Sequence, residues 1–118
     1  MTITELGKEL RKIRIDRDER LMDMAEKIGK SSAFISAVEA GKKSPPQGFE
    51  EAIASAYELA ADLAAKLGQA ADRARKSFTM EPQSVLGRDT AGLMARKMNE
   101  LSEDQLSKIY EILNKNKE

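Results

Sequence analysis

The sequence predicts an all-α protein. Three observations carry that expectation. Apolar residues recur three and four positions apart in successive stretches, the spacing of one helix face. Two of the early stretches close on glycines, Gly29 and Gly41, which suit the left-handed position at a helix end. The composition is rich in Ala, Glu, Lys, Leu and Arg and poor in aromatics (4%), with 34% charged residues against about 25% in an average domain. The one β-like run, SFTME at 77–81, allows a single short strand and is too short to support a sheet.

The elements follow in order. Residues 4–17, TELGKELRKIRIDR, place Leu6, Leu10, Ile13 and Arg14 on one helix face. Thr4 or Thr2 can cap this helix, and Thr2 with Glu5 has capping-box spacing. Residues 20–28, RLMDMAEKI, repeat the pattern with Leu21, Met24, Ala25 and Ile28, and Gly29 stops the helix. Ser31 is a good N-cap for a third helix, SSAFISAVEA, with Ile35 and Val38 facing inward, and Gly41 ends it. Lys42, Lys43, Ser44, Pro45 and Pro46 then form a basic, proline-stiffened loop. Two short helices joined by a Gly-containing turn of a few residues have the signature of a helix-turn-helix.

From Phe49 to about Ser77 the chain is Ala-rich and helical in pattern, with a break expected near Glu58–Ala61. Pro82 to Asp89 reads as a linker. A helix starting at Asp89 or Thr90 carries Leu93, Met94, Met98 and Leu101. Another starts at Ser102, where S-E-D-Q has capping-box spacing, and bears a stripe of Leu106, Ile109, Tyr110 and Leu113. The tail NKNKE is expected to fray. The expected organisation is a helix-turn-helix domain of four to five helices over residues 1–65, then a helical extension over 66–118 for dimerisation or partner binding.

Composition also excludes. A hydrophobic fraction of 41% is enough for a core, so wholesale disorder is not expected in these 118 residues. The absence of cysteine removes disulfides and thiolate metal sites, and the absence of histidine removes the commonest general base and metal ligand. No enzyme, metal or cofactor is therefore expected. No apolar run reaches the roughly 18 residues needed to span a bilayer, so no membrane association is expected and the cytoplasm is the default location. Net charge is zero, but residues 1–48 hold 10 basic and 8 acidic residues while 49–118 hold 10 and 12. This weak asymmetry permits a local basic face in the first half.

Residues 21–46, LMDMAEKIGKSSAFISAVEAGKKSPP, resemble the Cro and phage-repressor (XRE) type of helix-turn-helix regulator. The matching parts are the A-E-K-I-G of helix two, the Ser opening helix three, the I-S-x-V-E-x-G that closes it and the basic K-K-x-x-P exit. The preceding L-R-K-I-R-I-D-R-D-E resembles the family's first helix and its following loop, so the likeness spans roughly residues 4–57. The ending A-R-K-M-N-E-L-S-E-D-Q-L-S-K-I-Y-E-I-L-N is similar to the tails of phage and plasmid regulators.

The resemblance implies a third helix in the DNA major groove and a second lying across the backbone. It puts Ser32, Ala33, Ser36 and Ala37 against base edges. None can make the bidentate contacts of the Gln, Asn or Arg found in other members, which leaves close approach, bridging water and DNA shape. Phosphate contacts fall to Lys30, Ser31, Lys42 and Lys43, and to Arg20 as substitute for a Gln that members often carry near the Leu21 position. Arg14 and Glu39 match positions that pair beneath the motif in related repressors. Phe34, beside Ile35, can pack on helix two in the core or touch sugar and thymine methyl groups, and core packing is the leading expectation. The implied partner is double-stranded operator DNA. The implied protein is a homodimeric repressor whose dimer contact uses Leu106, Ile109, Tyr110 and Leu113. The alternative is an antitoxin whose C-terminal half binds a toxin encoded alongside.

Overall fold

The computed structural model describes residues 3–115, and among these the chain is all-helical with no strand. The helices are α1 (Glu5–Asp16), α2 (Leu21–Ile28), α3 (Ser32–Glu39), α4 (Phe49–Ala56), α5 (Ala61–Ala74), α6 (Val85–Lys97) and α7 (Glu103–Lys115), with a 3₁₀ turn at Met98–Glu100 after α6. They form two compact units, one ending at Phe78 and the other starting at Thr79.

In the first unit, α1 packs on α3 and α5, α2 on α3 and α4, and α4 on α5. The core takes Leu6, Leu10 and Ile13 from α1, Met24 and Ala25 from α2, and Ile35 and Val38 from α3. Phe49 and Ile53 of α4, Tyr57, and Leu67, Ala70 and Ala71 of α5 complete it. Full burial of side chains such as Leu6, Leu10, Met24, Ile35 and Ile53 stabilises by roughly 1.5–3 kcal/mol each before conformational entropy is counted.

The helix ends follow local chemistry. Thr4 Oγ1 caps α1 by accepting from the Gly7 N–H at 3.0 Å; Thr2, the other candidate, lies outside the described residues. Between α4 and α5 the chain turns at Tyr57–Ala60 with Glu58 at φ 48°, so the break falls where the two apolar faces change. Residues 65 and 66, the expected boundary, lie inside α5, and the first compact unit runs on to Phe78. Leu67, Ala70 and Ala71 are buried there, and small alanine side chains let α5 approach α1 closely.

The second unit also departs from expectation at its start. Helix α6 begins at Val85, four to five residues before the expected Asp89 or Thr90, because Ser84 Oγ accepts from the Gly87 N–H at 2.9 Å and caps it. Residues 77–81 form no strand, having no partner segment to pair with among the described residues. The capping box at α7 is formed: Ser102 Oγ accepts from the Gln105 N–H at 3.1 Å, and Gln105 Oε1 accepts from the Ser102 N–H at 2.9 Å. Asn114 and Lys115, expected to fray, belong to α7, and residues 116–118 lie outside the described residues. No residue of α6 or α7 is buried. No helix among the described residues is long and apolar enough to cross a membrane.

Candidate nucleic-acid interface

Three residues, Gly29, Lys30 and Ser31, make the turn between α2 and α3. Gly29 adopts φ 68° and ψ 33°, a left-handed conformation that other residues enter at a cost. The Lys30 N–H then donates back to the Ala25 carbonyl at 3.0 Å, sealing the end of α2. Ser31 Oγ accepts from the Phe34 N–H at 3.0 Å and starts α3. At the other end of α2, the Asp23 carboxylate accepts from the Arg20 N–H at 2.8 Å.

Helix α3 has two distinct sides. Ile35, Val38 and Glu39 are buried. Of the residues expected at base edges, Ala33 and Ser36 are exposed, and Ser32 and Ala37 are half-buried. Arg20, Lys30, Ser31, Lys42 and Lys43 are all exposed. Among the described residues none of these four cations is paired with a carboxylate, whereas the neighbouring Arg14 and Lys27 are. Phe34 is half-buried, its ring 6.0 Å from that of Phe49 at 59°, so it closes the core below α3. The Lys30 and Lys43 ammoniums each lie 5.4 Å from the Phe34 ring centroid, one before α3 and one after it.

The inward side of α3 is fixed through Glu39. Its carboxylate accepts from Arg14 Nη1 at 2.5 Å and Nη2 at 3.4 Å, with both residues buried. Met24 Sδ lies 3.3 Å from the same Nη1, and the exposed Arg11 approaches Glu39 at 3.6 Å. The Glu39 carbonyl accepts from both the backbone N–H and the hydroxyl of Thr4, each at 3.1 Å. Gly7 permits this approach, since a Cβ there would stand 2.5 Å from the Glu39 carbonyl oxygen. Helix α1 therefore holds the end of α3 by a bidentate ion pair and two hydrogen bonds.

A second cluster, not visible as a motif, steadies the loop into α2. The Tyr57 hydroxyl donates to Glu19 at 2.6 Å. Lys27 pairs with Glu19 and lies 4.4 Å from the Tyr57 ring centroid. Arg17 donates to the Tyr57 carbonyl at 3.2 Å. The hydrogen bonds from Lys27 and then Tyr57 hold the Glu19 carboxyl below its ordinary value, while burial and the bond to Glu19 push the Tyr57 hydroxyl up. Its members come from three segments, 17–19, Lys27 and Tyr57, whose juxtaposition only the fold provides.

In the second unit, Leu106, Ile109, Tyr110 and Leu113 line one wall of an open groove of about 460 Å³, with Met94 and Met98 opposite. Tyr110 and Leu113 are 58% and 65% exposed, while Leu106 and Ile109 are half-buried.

Searches of curated proteins and of solved structures found no match. A family model described as a helix-turn-helix domain matches residues 5–67, which takes in α1 to α4 and the first half of α5. With its three-residue turn and a third helix open on one side, in keeping with the Cro and phage-repressor resemblance, the chain belongs to this helix-turn-helix family.

Proposed function

We propose that the protein is a sequence-specific, cytoplasmic DNA-binding transcriptional regulator of phage or plasmid type, acting as a homodimeric repressor. The observation that carries this reading is α3 itself: an open side of small residues, Ala33 and Ser36, flanked by unpaired cations at Arg20, Lys30, Lys42 and Lys43. Small side chains let a helix backbone come close to base edges, where Ser can donate or accept and an Ala methyl can meet a thymine methyl. The flanking cations would set register on the phosphates without reading sequence. Ser31 can still donate its hydroxyl hydrogen to a phosphate while its oxygen caps α3.

The second unit supplies the dimer contact in this reading. No residue of its helices is fully buried, and a 13-residue helix such as α7 is marginal alone in water. A two-fold pairing of the Leu106, Ile109, Tyr110 and Leu113 stripes would cover them. It would also suit two recognition helices spaced about one DNA turn, roughly 34 Å. The same open groove favours an antitoxin as the second reading, with a toxin taking the place of the second copy.

The test is selection of DNA fragments from a random pool, by the protein and by its Ser36→Glu variant. The expected result is a palindromic site for the natural chain and none for the variant, with unchanged circular dichroism. Equal selection by both would move readout off α3. A chain that selects no site would end the reading.

A further inference from the structure

Arg75, the residue that ends α5, lies outside every motif considered so far, yet its side chain is only 12% exposed. A guanidinium has five N–H donors, and here all five are engaged. Nε donates to the Pro45 carbonyl at 3.0 Å. Nη1 donates to Glu50 Oε2 at 2.8 Å and to Asp72 at 3.2 Å. Nη2 donates to the Pro46 carbonyl at 2.8 Å and to the second Glu50 oxygen. The bond to Glu50 pushes the Arg75 guanidinium further up. Burial pushes the Glu50 carboxyl up, but the bond to Arg75, the bond from its own backbone N–H and the charge of Arg75 together leave Glu50 below its ordinary value. With every donor used and its charge met by two carboxylates, Arg75 has nothing left for a phosphate.

What it holds is the loop that leaves α3. The front of that loop hangs on α3, where the Ala37 carbonyl accepts from the Lys42 and Lys43 N–H groups at 2.9 and 3.2 Å. The rear contains Pro45 and Pro46, which have no N–H and can be tied only through their carbonyls. Those carbonyls are the ones Arg75 takes, and Pro46 also accepts from the Phe49 N–H at 3.1 Å, at the start of α4. Pro45 is buried, while Lys42, Lys43 and Ser44 stand exposed between the two anchors.

The geometry points to Arg75 as a positioning residue for DNA binding: paired with Glu50, it straps the Pro45–Pro46 segment so that Lys42 and Lys43 are already placed for the phosphate backbone. A loop ordered before contact spares the ordering entropy that a free loop would lose on binding. This inference rests on the DNA-binding reading of α3 and its exit loop.

The test uses the full chain and a labelled duplex carrying the sequence it enriches most from a random pool. Affinity is followed against salt for Arg75→Lys, Glu50→Gln, the Lys42→Ala/Lys43→Ala pair and their combinations. Arg75→Lys keeps the charge and loses the planar fork. It should weaken binding by roughly three- to tenfold and lower the logarithmic salt slope by about 1. Added to the Lys42→Ala/Lys43→Ala background, it should change affinity less than about twofold, since both act through one loop. Glu50→Gln should act in the same direction, and it carries the comparison if Arg75→Lys is unfolded at the assay temperature. An equal loss with and without the two lysines, or a loss with an unchanged slope, would overturn the strap. Unaltered binding by folded Arg75→Lys and Glu50→Gln would do the same while leaving the DNA reading intact. If the natural chain binds no duplex, that reading fails first and the strap with it.

Discussion

Replacing Arg14 by Ala removes the bidentate partner of a carboxylate that is 5% exposed. Breaking a buried pair from one side costs about 3–5 kcal/mol, because the stranded charge keeps its desolvation penalty. The lower end applies here: Arg11 still faces Glu39 at 3.6 Å, from a half-exposed position where solvent screens it. A loss of about 3 kcal/mol in a unit of this size lowers the Tm by roughly 12–24 °C. Arg17→Ala is the control. It forfeits an exposed arginine's bond to the Tyr57 carbonyl and its place 5.2 Å from the Tyr57 ring centroid, together worth about 1 kcal/mol. The assay is thermal unfolding followed by circular dichroism at neutral pH, and a third variant sharpens it. Arg14→Met/Glu39→Met fills the space with apolar atoms and should recover most of the loss, since well-packed substitutes for buried pairs are often neutral. Equal melting temperatures for Arg14→Ala and Arg17→Ala would refute the reasoning. So would a double variant that melts as low as Arg14→Ala.

Three other outcomes are expected. Gly7→Ala should destabilise by about 1–3 kcal/mol, because its Cβ would press on the Glu39 carbonyl; a melt within error of the natural chain would show that α1 can withdraw freely. Glu19 and Glu50 titrate below their ordinary 4.5, so the stability they contribute is present above that pH and is lost as pH falls. Tyr57 titrates above its ordinary 10.0, so its contribution is present below that pH and is lost above it. Melting temperature against pH should therefore fall at both ends, the acid fall blunted in Glu50→Gln and the alkaline fall in Tyr57→Phe; parallel curves would contradict these assignments. Leu106→Asp/Leu113→Asp should leave the first unit's melt unchanged and convert a dimer to monomers in sedimentation, and a chain monomeric before substitution would favour a foreign partner on that stripe.

The first three helices were legible because their signals are local. Leu6, Leu10 and Ile13 fall at helical spacing, Gly29 supplies the left-handed stop, and Ser31 supplies the cap. The run of α5 was legible as a helix after the break near Glu58–Ala61, but its place in the first unit was not, because the face it buries is largely alanine, which hydrophobic patterning registers weakly. The start of α6 was obscured by Gly87 in its first turn, where glycine lowers helix propensity by about 1 kcal/mol. At the candidate site, the exposed lysines could be placed from the motif alone. The anchors beneath them could not: Arg75 meets Pro45 and Glu50 across 25 to 30 residues, and Tyr57 meets Glu19 across 38. Such contacts have no short-range pattern, and they determine how firmly the loops are held.

The two sides of α3 also separate what keeps the protein folded from what it would recognise. Ile35, Val38 and Glu39 hold the helix, while Ala33 and Ser36 make no core contact. Exchanges at those two positions for longer polar residues should shift stability by only about 0.5 kcal/mol, as for other open surface sites. If α3 reads DNA as proposed, a lineage carrying this scaffold would drift from one target sequence to another by single steps, none of which passes through an unfolded intermediate. The small present-day residues leave room for that drift, because every replacement adds reach and none has to be accommodated by the interior.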